Sequence, residues 1–216
     1  MKAKKLISIL SIAFLVSCNS KLPSPEIQDG ILGKQFGIDK NINEKTIDKY
    51  LNRDDVCYRD MRMLIDPAKY EEIGGDSYLS GFIKGFEVIP YPFLAPTIDL
   101  PTEVGNGYTG DTLFSLVDDK YIPNYAESLD LLENFFPKNL NIFLMCGGGG
   151  YANMTKKLLI SLGWDENKIY NVGGYWYYDG NNKVEIKYLD EDGNEQYDFS
   201  KVPYHNIEFN KLTKIK

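Results

Sequence analysis

The sequence predicts an α/β domain with a mostly parallel central sheet, flanking helices and a C-terminal β-hairpin. Short apolar runs alternate with helically spaced segments in the order expected of a parallel sheet. The run at residues 141–145 is apolar throughout, as in strands that are buried on both faces of such a sheet. Two alternating segments, 184–189 and 196–199, flank a polar turn at 190–195, which is typical of a hairpin.

The first half of the chain supplies two strands and two helix starts. A first helix is expected from Glu44 to Leu51 with Asn43 as its N-cap. The apolar residues 56–58 predict a buried strand that ends at Asp60. Asp66-Pro67 predicts a helix start, and 86–89 a second strand that Pro90 ends. Residues 91–122 have little periodicity and are interpreted as a long insertion.

The second half has clearer periodicity. Residues 124–136 have helical spacing that ends at Pro137, and the strand 141–145 follows. Met154, Leu158 and Leu162 recur every fourth residue, and Gly163 stands where a C-cap glycine belongs. Residues 169–172 then predict a further strand before Gly173-Gly174.

Composition excludes some classes of partner. The 216 residues contain 43% hydrophobic and 25% charged residues, which suits one domain with a sizeable core. The formal charge is −7. It becomes −10 without residues 1–17, which contain three lysines and no acid. Because an acidic surface repels phosphate backbones, we expect no nucleic-acid partner.

The N-terminus has the layout of a secretory signal. Lys2, Lys4 and Lys5 precede the apolar stretch 6–16, which is too short to span a bilayer. The ending Ser17-Cys18 resembles the bacterial lipobox, which implies cleavage before Cys18, its lipidation, and an exported domain held at the cell membrane. A plain secretory signal with an incidental Cys18 is the alternative. The division is then a signal peptide at 1–17, a lipidated tether rich in Ser, Pro and Gly at 18–40, the domain at 41–180, and an extension at 181–216.

Few residues are available for metal or histidine chemistry. No Cys-x-x-Cys or Cys/His cluster is present, and His205 is the one histidine, so we expect neither a metal nor another cofactor. His205 is interpreted as a loop or edge residue. Cys57 and Cys146 remain in the mature chain; a disulfide between them is an open alternative, although a buried core position is favoured for Cys57.

The segment from Cys146 to Ala152 is the most informative part of the sequence. Four glycines, Gly147 to Gly150, connect a parallel strand to a helix, at the sheet edge where α/β folds bind ligands. Inward-facing N–H groups and the helix dipole would lower the pKa of a thiol there and stabilise its thiolate. The alternatives are a buried cysteine before a turn, and a phosphate-binding loop with Cys146 as a bystander.

These features resemble the rhodanese (sulfurtransferase) family over about residues 44–178. The loop Cys146, Gly147, Gly148, Gly149, Gly150, Tyr151 and Ala152 is similar to that family's nucleophile loop of six residues. The other matching stretches are Asp60-Met61-Arg62, Lys69-Tyr70-Glu71, 81–85, 88–90, Gly163-Trp164 and 172–176.

The resemblance implies sulfane sulfur transfer through a persulfide on Cys146, from a sulfur donor to a thiol acceptor. It implies supporting roles for Asp60 and Arg62 near the loop, in orientation and pairing more than in chemistry. The loop lacks the cation that most active members carry, and Phe82 stands where the family usually has His. These departures favour an uncharged, bulky or protein-borne persulfide donor over thiosulfate. The alternative is a non-catalytic rhodanese-like binding module at the cell surface. A Cys phosphatase would need an Arg where Ala152 stands.

Overall fold

The computed structural model describes residues 20–64, 81–98, 108–198 and 202–215. Its helices are α1 (Ile31–Phe36), α2 (Tyr91–Leu94), α3 (Ser128–Phe135) and α4 (Gly150–Ser161). Its strands are β1 (Val56–Asp60), β2 (Gly81–Ile83), β3 (Glu87–Val88), β4 (Phe114–Val117), β5 (Lys120–Pro123), β6 (Asn141–Cys146), β7 (Ile169–Gly174), β8 (Lys183–Leu189) and β9 (Glu195–Asp198).

A four-stranded, wholly parallel sheet in the order β3-β1-β6-β7 forms the centre of the fold. Its central strand β6 is buried from Ile142 onward, which explains the continuous apolar run in its sequence. Because all four strands run in the same direction, their carboxyl ends share one edge. Asp60, Met145 and Gly173 meet there in adjacent registers.

Each face of this sheet packs on its own hydrophobic core. Alternation along β6 sends Leu144 and Cys146 to the face covered by α2, α3 and α4, and Phe143 and Met145 to the other. The second face is covered by the chain around Ile42 and Ile47 and by residues near β2. The chain is therefore a mixed α/β protein with helices flanking a parallel sheet, as the sequence predicts.

Several predicted elements are confirmed with small changes in their bounds. The strands at 56–60, 141–145 and 169–172, and the C-terminal hairpin, correspond to β1, β6, β7 and β8–β9. The helix after the glycine loop is α4, and Gly163 beyond its C-cap has a φ of 94°, as expected of a glycine at that place. The second predicted strand is reduced to β3, and the predicted start at Asp66-Pro67 lies outside the described residues.

The predicted helix from Glu44 to Leu51 is wrong. Only a 3-10 turn at Ile47–Tyr50 forms, with Thr46 rather than Asn43 as its N-cap. The Asn43 side chain binds backbone groups instead, donating to the carbonyls of Asp39 and Lys40 and accepting from Lys45. Such local side-chain bonds offer the backbone an alternative to a regular helix.

The described part of the expected tether packs on the domain. Residues 20–40 contain α1, a bridge between Ile27 and Asp39, and the buried side chains of Leu22 and Ile38. Asp39 donates its N–H to the carbonyl of Asn171, which extends the β7 edge of the sheet. From Leu22 onward this segment is therefore part of the fold and not an extended linker, because Leu22 and Ile38 are buried and its backbone bonds to β7, while Ile27, Ile31 and Leu32 stay exposed.

The described parts of the expected insertion are also ordered. Residues 91–98 hold α2, and the hairpin β4–β5 follows at 114–123. Leu94, Leu113 and Phe114 are fully buried in the core on the α4 face. Within the described ranges, no helix is long and apolar enough to cross a membrane.

Candidate active site

Cys146 lies at the carboxyl end of β6, immediately before the loop that begins α4. Gly149 is the N-cap of α4 and has a φ of 99°, in the left-handed region, where a residue with a Cβ would be strained. This conformation turns the Gly149 N–H toward the sulfur, and the N–H donates to Cys146 Sγ at 3.0 Å. The predicted cradle of strand, glycine loop and helix N-terminus is therefore present.

The expected lowering of the Cys146 pKa is not observed. Burial raises the pKa of this thiol, and the charge of Asp60 adds to the rise. The N–H groups of Ala152, Gly149 and Tyr151 act in the opposite direction but do not compensate for burial. Only 3% of Cys146 is exposed. The prediction from sequence counted the hydrogen-bond donors but omitted desolvation, which disfavours the charged form.

Close packing leaves no room for a side chain at Gly147 of the loop or at Gly174 of β7. A Cβ on Gly147 would lie 2.5 Å from Cζ2 of Trp176, and one on Gly174 would lie 2.1 Å from the carbonyl oxygen of Gly147. The backbone N–H of Trp176 also donates to the Gly147 carbonyl at 3.1 Å. The indole of Trp176, which is 40% exposed, therefore lies against the loop that follows Cys146.

The aromatic residues 175–178, which follow β7, are partly buried in the core and partly exposed at the surface. Tyr175 and Tyr178 are buried in the core, whereas Trp176 and Tyr177 are exposed. On the α4 side, the Tyr151 ring stacks on that of Tyr91 with centroids 5.7 Å apart. Tyr151 belongs to the predicted loop, whereas Tyr91 lies in the region interpreted as an insertion and had no signal in the sequence.

Asp60 and Arg62 form a buried ion pair beside the site. Arg62 Nη2 and Nε lie 2.6 and 2.9 Å from Asp60 Oδ2, and the two side chains are 1% and 0% exposed. Arg62 also donates to the carbonyl of Gly81 and stacks over the Tyr175 ring at 4.3 Å. Both residues thus lie at the carboxyl end of β1, where Asp60 pairs with Nε and Nη2 of Arg62, while Arg62 Nη1 is buried without a hydrogen-bond partner among the described residues.

Asn171 is a polar residue of the site region that sequence reasoning missed. Its Nδ2 donates to the carbonyls of Gly149 and Phe36, and its Oδ1 accepts from the Gly173 N–H. It therefore ties the loop of Cys146 both to β7 and to the N-terminal segment. A buried asparagine inside an apolar strand was the available signal, since buried polar side chains need partners.

Cys57 and Cys146 are both free, buried thiols. Cys57 pairs in register with Ile142, four residues before Cys146 on the neighbouring strand. At about 3.3 Å per residue, this offset separates the two by roughly 13 Å along the sheet. A disulfide needs Cα atoms within about 7 Å, so the Cys57–Cys146 alternative is wrong for this fold. Burial raises the pKa of Cys57 to about 11.

The remaining candidates lie away from Cys146 or outside the description. His205 is an edge residue: its N–H donates to the Val88 carbonyl, and its Nε2 is 2.7 Å from Glu87. Phe82 pairs with Val184 between β2 and β8. Cys18 lies outside the described residues. Among those that are described, no group of three or more His, Cys, Asp or Glu side chains is placed to hold a metal ion.

The site thus unites Cys146 and its loop with the Asp60–Arg62 pair, and Trp176 and Asn171 join them. Chemically, it offers one thiol, several backbone donors at the start of a 12-residue helix, and an aromatic cover. Comparison with known proteins adds no identification. No protein-family model matches the chain, and no curated protein or solved structure matches it.

Proposed function

We propose that the protein is a rhodanese-like sulfurtransferase that carries sulfane sulfur as a persulfide on Cys146. One observation carries the proposal: Cys146 Sγ accepts the Gly149 N–H at 3.0 Å, between the end of a parallel strand and the start of α4. The same backbone donors suit a thiolate and a terminal persulfide, because both are anionic sulfur species.

The transfer needs no group beyond the two sulfur substrates. The Cys146 thiolate attacks the outer sulfur of a donor R–S–SH, the donor's S–S bond breaks, and the leaving thiolate takes up the proton that Cys146 lost. The products are Cys146–S–SH and R–SH. An acceptor thiolate then attacks the outer sulfur of Cys146 and releases the Cys146 thiolate. The second step regenerates the enzyme.

The surroundings of the loop favour donors without a compact double charge. The loop sequence from Gly147 to Ala152 contains no cation, and Arg62 is already paired with Asp60. The Trp176 indole offers an apolar contact beside the loop. We therefore propose a low-molecular-weight or protein-borne persulfide donor and a thiol acceptor.

The lipobox-like leader supports export and membrane anchoring through Cys18 as part of the same proposal.

The test is persulfide loading of the purified, reduced protein. The protein is incubated separately with thiosulfate, glutathione persulfide and a protein-borne persulfide, and intact mass and peptide mapping are measured. We expect the persulfides to add one sulfur atom at Cys146 and a thiol acceptor to remove it. Cys57→Ala should load normally, and Cys146→Ser should not load. Equal loading of Cys146→Ser would exclude this mechanism.

A catalytically weak or inactive rhodanese-like binding module is the second candidate, and one observation favours it. Cys146 is almost wholly buried and its pKa is raised, which disfavours a reactive thiolate. If no donor adds sulfur to a folded protein whose Cys146 is reduced, this second function replaces the first.

A further inference from the structure

A cavity lies between the N-terminal segment and α4, the helix that follows the Cys146 loop. It has a volume of about 400 Å³ and lies between the N-terminal segment 25–39, the outer face of α4 and residues 166–171. This volume falls in the range of small-molecule sites. Its wall is apolar at Pro25, Ile27 and Ile160, and it carries side-chain amides at Asn153 and Asn171.

Two of the acids in its wall already have partners. Asp39 accepts hydrogen bonds from the N–H groups of Glu26, Asn41 and Ile42, so its carboxylate is committed to holding the segment in place. The Glu26 carboxylate pairs with Lys40 at 2.9 Å. Glu166, the third acid, is exposed at the rim of the cavity.

Lys156 is a half-buried cation of this wall without a close partner. It lines the cavity and is half-buried, and the described part of the chain supplies it with no ion pair or hydrogen bond. Burial lowers the pKa of its ammonium group, against the weaker opposing charges of Glu166 and Asp39. Burying an ammonium group is costly unless an anion or a hydrogen-bond acceptor meets it. The next residue, Lys157, is exposed.

We propose that this cavity binds a small monocarboxylate with an apolar body, whose carboxylate pairs with Lys156. A single negative charge suits the site, because Lys156 offers one half-buried positive charge without a close partner in the described chain, and Glu166 at the rim would add to the repulsion of a doubly charged anion. The apolar walls take the body of the ligand, and the Asn153 and Asn171 amides lie within the same wall.

The proposed site does not include Cys146, but it shares Asn171 with the contacts that hold the Cys146 loop. Asn171 lines the cavity, and its Nδ2 donates to the Gly149 carbonyl at 3.0 Å. Binding is expected without any sulfur transfer, so the inference goes beyond the proposed function. A Cys146→Ser variant should bind the monocarboxylate as the wild type does, which keeps the two proposals independently testable.

The test uses butyrate as the probe, with butyramide, butylammonium and inorganic phosphate as comparison compounds. Binding is followed on the full chain by amide chemical shifts in two-dimensional NMR. We expect saturable shifts with butyrate at residues of the cavity, and weaker effects with the other three compounds. Lys156→Met should weaken butyrate binding about tenfold by removing the charge-assisted contact. Lys157→Met, the matched control on the same helix, should change it less than about threefold.

Any of four results would overturn the proposal. Two concern the probe: no saturable shift with butyrate, or butyramide binding as tightly as butyrate. The other two are Lys156→Met binding butyrate as the wild type does, and inorganic phosphate binding more tightly than butyrate. Unchanged dispersion of the remaining amide signals in each variant verifies that the substitution leaves the fold intact.

Discussion

At the scale of single residues, burial and hydrogen bonding act on the Cys146 thiol in opposite directions. Burial raises its pKa, whereas the N–H groups of Ala152, Gly149 and Tyr151 lower it, and burial prevails. The thiolate is therefore formed at a higher pH than for an ordinary cysteine. Any persulfide chemistry at this site should become faster as the pH rises toward and beyond the usual thiol range.

Slow alkylation of native Cys146 follows from this balance. At pH 8, iodoacetamide should modify Cys146 at least about tenfold more slowly in the native protein than in the unfolded chain, because the thiolate is scarce and buried. The native rate should still increase as the pH passes 9. Peptide mapping over time measures it in a Cys57→Ala background. Rapid native alkylation at pH 7 would show instead a thiol of lowered pKa.

At Gly174 the obstacle to a side chain is a backbone atom of the Cys146 loop. A Cβ there would meet the Gly147 carbonyl oxygen at 2.1 Å, whereas one on Gly148 would approach the Trp176 ring at 3.3 Å. Gly174→Ala should lower the free energy of unfolding by about 1–3 kcal/mol or more, because a backbone atom cannot move aside. Gly148→Ala, the control, should cost less than about 1 kcal/mol because an exposed indole can shift. Urea unfolding measures both, and equal costs would contradict the packing explanation.

At the scale of elements, β1 has an Asp–Arg pair at each end. Asp60 and Arg62 follow its carboxyl end and are fully buried. Arg53 and Asp55 precede its amino end with a similar bidentate geometry, but the Asp55 side chain is 41% exposed. The two pairs have the same residue types at the same spacing and differ mainly in burial.

Neutralising the acid should have unequal effects at the two ends. Asp60→Asn should lower the free energy of unfolding by about 3–5 kcal/mol, because it leaves the Arg62 charge buried without a partner. Asp55→Asn should cost less, about 1 kcal/mol, because the Asp55 side chain is 41% exposed and water already solvates its carboxylate.

Urea unfolding of both variants and of Asp60→Asn/Arg62→Met tests this explanation. Replacing both buried charges should recover part of the loss. A double variant less stable than Asp60→Asn alone would indicate that Arg62 acts through its other contacts, with the Gly81 carbonyl and the Tyr175 ring.

At the scale of the whole molecule, the N-terminal segment is fastened to the far edge of the sheet. The Tyr170 hydroxyl donates to the Pro23 carbonyl, Asn171 to the Phe36 carbonyl, and the Asp39 N–H to the Asn171 carbonyl. These bonds hold the N-terminal segment that forms one wall of the cavity lined by Lys156. Through Asn171 they also support the loop of Cys146.

Limited trypsin digestion should show this attachment. Lys21 should be cut readily in the native protein, and Lys40 slowly, because the Lys40 N–H and ammonium group are held by Glu26. Asp39→Ala removes the three N–H contacts of its carboxylate and should speed cleavage at Lys40 about tenfold through local opening. Asp29→Ala, an exposed position in the same segment, should leave the rate unchanged. Equal cleavage at Lys40 in the wild type and Asp39→Ala would show that the segment is not held in this way.

The local sequence pattern was enough to predict the central strands and the loop, because strands buried on both faces of a sheet are apolar throughout. The apolar run at 141–145, the four glycines and the spacing of Met154, Leu158 and Leu162 identified β6, the loop and α4 correctly. The α/β class with a parallel sheet and the C-terminal hairpin followed from the same patterns, and so did the place of Cys146 at the sheet edge.

Only the tertiary structure decided that burial raises the pKa of Cys146, that Trp176 and Tyr91 pack near its loop, and that Cys57 is separated from Cys146. It also decided that residues 22–40 join the domain and that Asn43 ends up bonded to backbone groups outside a helix. These features depend on contacts between residues distant in the chain. Desolvation and register are set by what the folded molecule places around a residue, whereas local spacing records only which elements form.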